Sequence, residues 1–158
     1  MNELMEMLKD RPFFEGLSEA HMKLLAACAA LRSFEPDVCL FREHEPAEAF
    51  YLVRSGTVAL ESRLPGRGAR TFATLGEGDM LGWSWLIPPY RWHYDARAIT
   101  PVHTVHFDAA VLRDRMDHDP ELGYALLKRF TGLIVERLQA ARLQSLDIYG
   151  DADVGLGG

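Results

Sequence analysis

The chain has 158 residues, a formal net charge of -6, 48% hydrophobic residues and 25% charged residues. This length suits one domain, and the composition supplies enough apolar surface for a core, which argues against a disordered chain. The acidic balance excludes a general electrostatic attraction to nucleic acid or to an anionic membrane.

Two features of the sequence predict a cytoplasmic setting. The N-terminal segment mixes acidic residues among its apolar ones, unlike a signal peptide, and no apolar run reaches transmembrane length. Cys28 and Cys39 are too few for a four-thiolate metal site, and nothing about them suggests a secreted disulfide framework. We therefore expect both cysteines to be small side chains of the core.

The first structured region predicts a helix over 17–31. Ser18 is a suitable N-cap, and Leu17 stands at the apolar position that precedes a cap. Apolar residues then recur at helical spacing, at Leu24, Leu25, Cys28 and Leu31. The apolar segment 12–14 ahead of this helix resembles an anchor on a larger body, so we expect the folded domain to begin near residue 10.

Residues 33–107 predict short strands separated by frequent turns. Turn signals occur at 35–37, at 45–46 and at Ser55-Gly56, and 65–70 predicts a polar loop tip. The stretch "AFYLVRSGTVAL" predicts two apolar strands joined as a β-hairpin. Strands this short, with turns this regular, indicate a small antiparallel barrel or jelly roll.

Residues 108–149 predict helices. Asp108 is a suitable cap for a first helix, and Pro120 occupies the tolerated first position of a long helix that ends near 145–149. The apolar band of the long helix is wider than a barrel can cover, so we expect a homodimer through the same helix of a second copy. The residues assigned to this dimer seam are Leu126, Phe130, Leu133, Ile134, Leu138 and Ala141. The Gly-rich tail, 150–158, is predicted to be flexible.

Three motifs in this order identify a family resemblance. They are "PFFEGLS" before the first helix, "YLVRSG.V.L" in the strand region, and "L..GD..G" leading to Gly82. Each motif alone is weak, but together they make residues 10–149 resemble the cyclic nucleotide-binding domain of the Crp/Fnr family. The resemblance implies a mainly β fold, an eight-stranded antiparallel jelly roll flanked by helices, with a long C-terminal helix that forms a dimer seam.

The length of the chain departs from the transcription factors of that family. Those proteins carry a winged helix-turn-helix domain after the long helix, whereas this chain ends at Gly158 with no such pattern. Together with the acidic balance, this argues against direct DNA binding. The sequence therefore predicts a stand-alone regulatory or sensor module that signals through a protein effector.

The stretch "GDMLGWSWLIPPYRWHYDARA" (78–98) is the second departure. It holds all three tryptophans of the chain, and it stands where the family has its phosphate-binding cassette. That cassette uses a glycine, a short helix, a glutamate for the ribose and an arginine for the cyclic phosphate. Here Gly82 remains, Trp83 replaces the glutamate, and the arginine position falls on Trp92 or His93.

Strand alternation over 91–98 separates a polar face from an apolar one. Arg91, His93, Asp95 and Arg97 share the polar face, and Trp92, Tyr94, Ala96 and Ala98 share the other. Asp95 and Arg97 either form a simple ion pair or leave Arg97 free to meet an anionic ligand. The candidate ligand-binding residues are Gly82, Trp83, Ser84, Trp85, Arg91, Trp92, His93 and Arg97.

Cyclic AMP or another cyclic nucleotide is the candidate ligand that the resemblance implies, and another small anion is the alternative for the rebuilt cassette. A second hypothesis makes the barrel a degenerate, non-binding module for protein interaction or scaffolding, with tryptophans at the interface. The six histidines form no three-ligand metal set, and no nucleophile motif or P-loop is present in the sequence. We therefore expect neither a metal site nor an enzyme.

Overall fold

The computed structural model describes the backbone of residues 2–157 and the side chains of residues 3–140 and of Arg142. The helices are α1 (Asn2–Lys9), α2 (Glu19–Ala27), α3 (Ala109–His118) and α4 (Pro120–Gly157), with short 3-10 turns at Pro12–Phe14 and Ser84–Leu86. The strands are β1 (Ala29–Phe34), β2 (Cys39–Phe41), β3 (Ala49–Ser55), β4 (Val58–Leu64), β5 (Gly68–Leu75), β6 (Met80–Leu81), β7 (Asp95–Ala98) and β8 (Val102–Asp108).

The eight strands form two four-stranded antiparallel sheets. One sheet has the order β1-β8-β3-β6 and the other has the order β2-β7-β4-β5. Strands consecutive in the sequence mostly lie in different sheets, which is the arrangement of a jelly roll. The fold class predicted from the sequence, mainly β with flanking helices and a long C-terminal helix, is confirmed.

The helix starts follow the caps that the sequence predicts. The Ser18 hydroxyl accepts a hydrogen bond from the amide of His21 at 3.1 Å, and the Asp108 carboxylate accepts one from the amide of Val111 at 3.4 Å. Asp119 accepts from the amide of Leu122 at 3.2 Å, with Pro120 as the first residue of α4. These side chains satisfy amides that have no partner within their own helix.

Two local predictions differ from the structure. The helix predicted over 17–31 ends at Ala27, and residues from Ala29 onward form β1 because they pair along their whole length with β8. The predicted hairpin over 49–60 is also wrong, since β3 pairs with β6 and β8 while β4 pairs with β5 and β7. The turn at Gly56 therefore carries the chain from one sheet to the other.

Sheet β1-β8-β3-β6 packs against the helices through an aromatic cluster. Phe50 stacks on Phe107 with ring centroids 4.5 Å apart, and Phe130 of α4 meets Phe50 edge-on at 5.0 Å. Phe14, from the segment predicted to be an apolar anchor, lies 6.0 Å from Phe107. The helices therefore contact this sheet through aromatic side chains.

The first half of α4 belongs to the core of its own chain. Leu126 and Phe130 are fully buried and Leu133 is 9% exposed, which corrects their predicted place in a dimer seam, because their surface is already covered. Leu138 is 67% exposed and Ile134 is half-buried, while the side chain of Ala141 lies outside the described residues.

The last part of α4 continues farther than the sequence predicts. The backbone is helical through Gly157, beyond the predicted end near 145–149, because no proline interrupts the chain after Pro120. The side chains of the predicted flexible tail, 150–158, lie outside the described residues. None of the helices within residues 2–157 is both long and apolar enough to span a membrane.

Candidate functional site

The segment between β6 and β7 forms the candidate site. Gly82 follows β6 with a φ of +101°, and the 3-10 turn Ser84–Leu86 follows at once. The turn ends at Leu86, since the two prolines at positions 88 and 89 cannot continue a helix. A Cβ atom at position 82 would lie 2.9 Å from the ring of Trp92, so this glycine is required by the close approach of that ring.

Trp92 occupies the space in front of Gly82. Its side chain is 4% exposed, and its ring stacks on Phe41 with centroids 3.6 Å apart and an interplanar angle of 9°. Phe41 in turn lies near Tyr51 and Tyr94, with centroid distances of 6.4 and 5.7 Å. An indole therefore lies against the glycine of the cassette, where the family resemblance implies a phosphate.

The other two tryptophans have different surroundings. Trp85 is fully buried, stacks on Phe50 at 5.3 Å and meets Phe130 edge-on, so it is a core side chain and the structure corrects its predicted role in ligand binding. Trp83 is half-buried and stacks on His93 at 4.9 Å. The His93 ring also shares a 3.0 Å hydrogen bond with the buried hydroxyl of Ser84, so these three predicted residues come together.

Arg91 does not reach the interior of the barrel. Its side chain is exposed, and Nη1 donates to the carbonyl of His44 at 2.9 Å. This bond ties the cassette loop to the turn before β3, where Pro46 and Arg91 form an isolated β-bridge. The Arg91 side chain therefore stabilises the cassette loop and does not place a positive charge in front of Gly82.

Arg97 lies on the outer face of its sheet in an ion-pair network. Its guanidinium donates to both carboxylate oxygens of Glu61, at 2.9 and 3.1 Å, and to Asp37 at 2.9 Å. Asp95 pairs instead with Arg63 at 3.0 Å, so the predicted pair between Asp95 and Arg97 is wrong. The hydrogen bonds from Arg97 hold the pKa of the Glu61 carboxyl below its ordinary value. The Arg97 guanidinium therefore has its hydrogen-bond partners within the protein and needs no ligand.

Two residues missed by the sequence analysis complete the inner side of the site. Tyr94 is 5% exposed and Arg137 comes from α4, and the indole of Trp83 and the guanidinium of Arg137 both interact with the Tyr94 hydroxyl. Burial raises the pKa of Tyr94 to about 12, although Arg137 and Trp83 act in the opposite direction. Arg137 stands four residues after Leu133, and this spacing along a buried stripe was the available signal.

An open groove of about 460 Å³ lies beside Trp92. Its charged lining includes Arg32 and three carboxylates, those of Glu45, Glu48 and Asp108. His106 also lines it, and burial lowers the pKa of this imidazole, which favours the neutral form. The excess of carboxylates makes this groove unsuited to an anion.

His21, Asp119 and Glu121 form the one group of potential metal ligands found among the described residues. Their ligand atoms lie within 4.8 Å of one another. Asp119, however, caps α4 with one oxygen and accepts a 3.1 Å hydrogen bond from His21 with the other. We interpret the group as a structural contact that holds α2 against the start of α4, because the Asp119 carboxylate already has two hydrogen-bond partners.

Comparisons with known proteins agree with this architecture. The cyclic nucleotide-binding domain family matches residues 31–119. A CRP-like cAMP-activated global transcriptional regulator of Mycobacterium tuberculosis is 27% identical over 123 residues, covering 78% of this chain. That match covers 55% of the regulator, so the chain spans about half the length of its curated relative.

Two solved structures have similar folds. A protein from Geobacter metallireducens GS-15 assigned to the cyclic nucleotide-binding proteins is 28% identical, with a TM-score of 0.77, and the match covers 84% of this chain and 96% of that one. The regulatory domain of Toxoplasma gondii PKA, crystallised with cAMP, is 20% identical, with a TM-score of 0.61 and coverage of 74% and 43%. The second likeness concerns the fold alone. With the family match over more than half of its length, this chain belongs to the cyclic nucleotide-binding domain family.

Proposed function

We propose that this protein is a non-enzymatic regulatory module that does not hold a cyclic phosphate in its cassette and acts through protein contacts of α4. The observation that carries the proposal is the Trp92 ring, which lies against Gly82 and stacks on Phe41 at 3.6 Å. A ligand phosphate at this place would have to displace an indole that is 4% exposed, and neither Arg91 nor Arg97 is directed toward it. The cytoplasmic setting, the absence of direct DNA contacts and the protein effector remain parts of this proposal.

The electrostatics of the cassette support the absence of a cyclic phosphate. Binding a phosphate in a buried place requires a paired cation, because an uncompensated buried charge is costly. Arg91 and Arg97, the two arginines of the cassette region, donate to His44 and to the Glu61 and Asp37 carboxylates. Neither guanidinium is available at Gly82 without the loss of these bonds.

Calorimetry with cyclic AMP and cyclic GMP tests this part of the proposal. We expect no heat of binding at micromolar protein and ligand concentrations for the natural chain. The double variant Trp83→Glu/Trp92→Arg restores the residue types of the family cassette and serves as the comparison. Saturable binding of either nucleotide by the natural chain would contradict the proposal and would favour a cyclic-nucleotide sensor in which Trp92 moves.

The outer stripe of α4 supports a homodimer. Tyr124, Leu127, Thr131, Ile134, Leu138 and Ala141 follow one another at intervals of three and four residues. Tyr124 is 68% exposed, Leu127 48% and Leu138 67%, so the stripe is apolar and largely uncovered by its own chain. Alternating spacings of three and four form the seam of a two-stranded coiled coil, and a second copy of α4 presents the matching surface.

Leu138→Asp tests the homodimer. We expect the mass from light scattering to fall from that of a dimer to that of a monomer, because the substitution places a charge in the apolar seam. Val111→Asp is the matched control, since Val111 is a 46% exposed apolar residue on α3, away from the stripe. A mass unchanged by Leu138→Asp, or lowered equally by Val111→Asp, would contradict the seam.

A further inference from the structure

A cavity of about 340 Å³ lies between α1 and the helix-facing side of sheet β1-β8-β3-β6. It is lined by Met7 and Arg11, by Leu52, Arg54 and Ser55 of β3, by Glu77, and by His103 of β8. Leu52 shares its face of β3 with Phe50, which packs on Phe130 of α4, because side chains alternate along a strand. The cavity therefore lies outside the jelly roll, and neither Gly82 nor Trp92 belongs to its lining. We call it the two-arginine cavity.

The turn between β5 and β6 places the two arginines at this cavity. The amide of Gly78 donates to the carbonyl of Val53 at 2.8 Å, and the amide of Val53 donates to the carbonyl of Asp79 at 2.9 Å. The turn is therefore attached to β3 directly before Arg54. Gly78 has a φ of +89°, and a Cβ atom there would lie 3.3 Å from Nη1 of Arg11, so the absence of a side chain lets this guanidinium lie against the turn.

The positive charge of the two-arginine cavity is not balanced. Arg11 and Arg54 are both half-buried, and neither side chain forms an ion pair or a hydrogen bond within the part of the chain that the structure describes. Among the described residues of the lining, Glu77 has the one carboxylate, and it is exposed and lies beyond ion-pair distance of both arginines. Arg97, by contrast, has two carboxylate partners. A cavity with two guanidinium groups and one unpaired carboxylate attracts an anion.

Ser55 and His103 add a hydroxyl and an imidazole to the lining. They are direct partners in the pairing of β3 with β8, so their side chains lie on the same face of the sheet. Nδ1 of His103 shares a 2.8 Å hydrogen bond with the hydroxyl of Ser33, which leaves Nε2 as the ring nitrogen for another partner. Together with the two guanidinium groups, these side chains supply the several donors that the oxygen atoms of a phosphate group accept.

We propose that the two-arginine cavity binds a phosphate dianion, either free phosphate or the phosphoryl group of a small phosphomonoester. Two guanidinium groups balance the two negative charges of this group, whereas a carboxylate supplies one charge and two acceptor atoms. The volume of the cavity lies within the range of roughly 300–1,000 Å³ that is typical of small-molecule sites. Met7 and Leu52 give the lining an apolar part that can contact the organic group of a monoester.

An occupied two-arginine cavity would join the segment after α1 to β3. Arg11 belongs to that segment and Arg54 to the strand, so one phosphate group would pair with both. This inference goes beyond the proposed function, which needs no ligand, and the site lies apart from both the cassette and the outer stripe of α4.

Nuclear magnetic resonance of the backbone amides tests the site in the intact chain. The protein is titrated at pH 7.5 with sodium phosphate, with phenyl phosphate and with sodium acetate, each at an ionic strength held constant with sodium chloride. We expect phosphate and phenyl phosphate to move the amide signals of Ser55 and His103 saturably, and acetate to bind at least about tenfold more weakly. The amide signal of Gly82 is the internal control, because Gly82 lies in the cassette and outside this cavity.

Three glutamine variants separate the site from general attraction. Arg54→Gln is expected to weaken the phosphate affinity about 10- to 100-fold, because a charge-assisted hydrogen bond is lost. Arg67→Gln is the matched control, since Arg67 is exposed in the loop between β4 and β5, and the affinity should stay within about twofold. Glu77→Gln is expected to strengthen binding about two- to fivefold, because a competing carboxylate is removed. Arg11→Gln repeats the test from the other side of the cavity should Arg54→Gln fail to fold.

Each outcome decides for or against the inference. Tighter binding of phenyl phosphate than of phosphate identifies a phosphomonoester, and equal or weaker binding identifies free phosphate. Unmoved Ser55 and His103 signals, equal affinities for phosphate and acetate, or equal losses in Arg54→Gln and Arg67→Gln would overturn the inference. A saturable shift of the Gly82 signal alone would also overturn it, and would count against the proposed function as well. Light scattering of the same samples reports the dimer separately, so failure here is distinguishable from failure of the proposed function.

Discussion

The two faces of the segment 92–98, which leads into β7, differ in the surroundings of their polar groups. On the outer face, Arg97 has Glu61 and Asp37 as partners, and Asp95 has Arg63. On the inner face, the rings of Trp92 and Tyr94 pack on aromatic neighbours, and the Tyr94 hydroxyl is buried beside Trp83 and Arg137. Arg97, the arginine of this segment, therefore has a structural role on the outer face, and the inner face is mainly aromatic.

The difference shows why an arginine in a ligand-binding segment is not evidence of a ligand. Arg97 has the residue type that recognises phosphate, but its donors are directed to a carboxylate whose side chain is 8% exposed. Arg137 was not a candidate, yet it donates to the carbonyl of Met80 at 2.8 Å and interacts with Tyr94.

The largest expected effect comes from removing the ring on the inner face. Trp92→Ala is expected to lower the free energy of unfolding by about 3–5 kcal/mol, because it leaves a cavity against Gly82 and Phe41. Urea denaturation measures the loss. Trp92→Phe, which keeps a ring on Phe41, should cost clearly less, and a cost below about 1 kcal/mol for Trp92→Ala would show that the ring does not fill the cassette.

A smaller effect is expected on the outer face. Arg97→Met leaves Glu61 without its guanidinium and is expected to cost about 1–3 kcal/mol, a range reduced for the 32% exposure of the Arg97 side chain. Arg91→Met is the matched control, expected within about 0.5 kcal/mol because this residue is exposed. Equal losses in the two variants would contradict the structural role of Arg97.

The pH dependence of the Arg97→Met effect has a defined sign. The folded-state pKa of Glu61 lies below its ordinary value of 4.5, so the stabilisation is present above pH 4.5 and is lost as the pH falls through the folded value. The difference between the natural chain and Arg97→Met should therefore shrink as the solution is acidified below pH 4.5. A difference that stays constant from pH 7 to pH 3 would assign the loss to packing.

The smallest effect concerns the Tyr94 hydroxyl. Its folded-state pKa of about 12 exceeds the ordinary value of 10, so its neutral form stabilises the fold below pH 10 and this contribution is lost as the pH rises toward 12. At pH 7, Tyr94→Phe is expected to leave the free energy of unfolding nearly unchanged. Between pH 7 and pH 11, the natural chain is expected to lose about 1 kcal/mol more of this free energy than Tyr94→Phe. Urea denaturation at both pH values measures this, and parallel alkaline losses in the two proteins would contradict a buried hydroxyl.

Much of the fold could be predicted because its determinants are local. Ser18, Asp108 and Pro120 mark helix starts by the chemistry of one turn, and the structure places the helices there. The boundary near Cys28 could not be predicted in the same way. Residues 29–31 are compatible with a helix, and their strand conformation depends on pairing with β8, far along the chain.

The same distinction between local and long-range determinants applies to the candidate site. Alternation along 92–98 correctly predicts that Trp92 and Tyr94 share an inner face, since that pattern is local. The partners of Arg97 come from β4 and from the turn after β1, and no spacing within the cassette indicates them. The contact of Arg137 with Tyr94 likewise joins α4 to the barrel, so it required the three-dimensional arrangement.

The pairing of β1 with β8 has a consequence for folding kinetics. Ser33 and His103 are 70 residues apart in sequence and share a 2.8 Å hydrogen bond, and the two strands pair over their whole common length. A sheet completed by such distant segments has a high contact order, so it folds slowly compared with a helical domain of equal stability. During synthesis β1 has no partner until β8 has been made, and for that interval its unpaired edge is open to association with other chains.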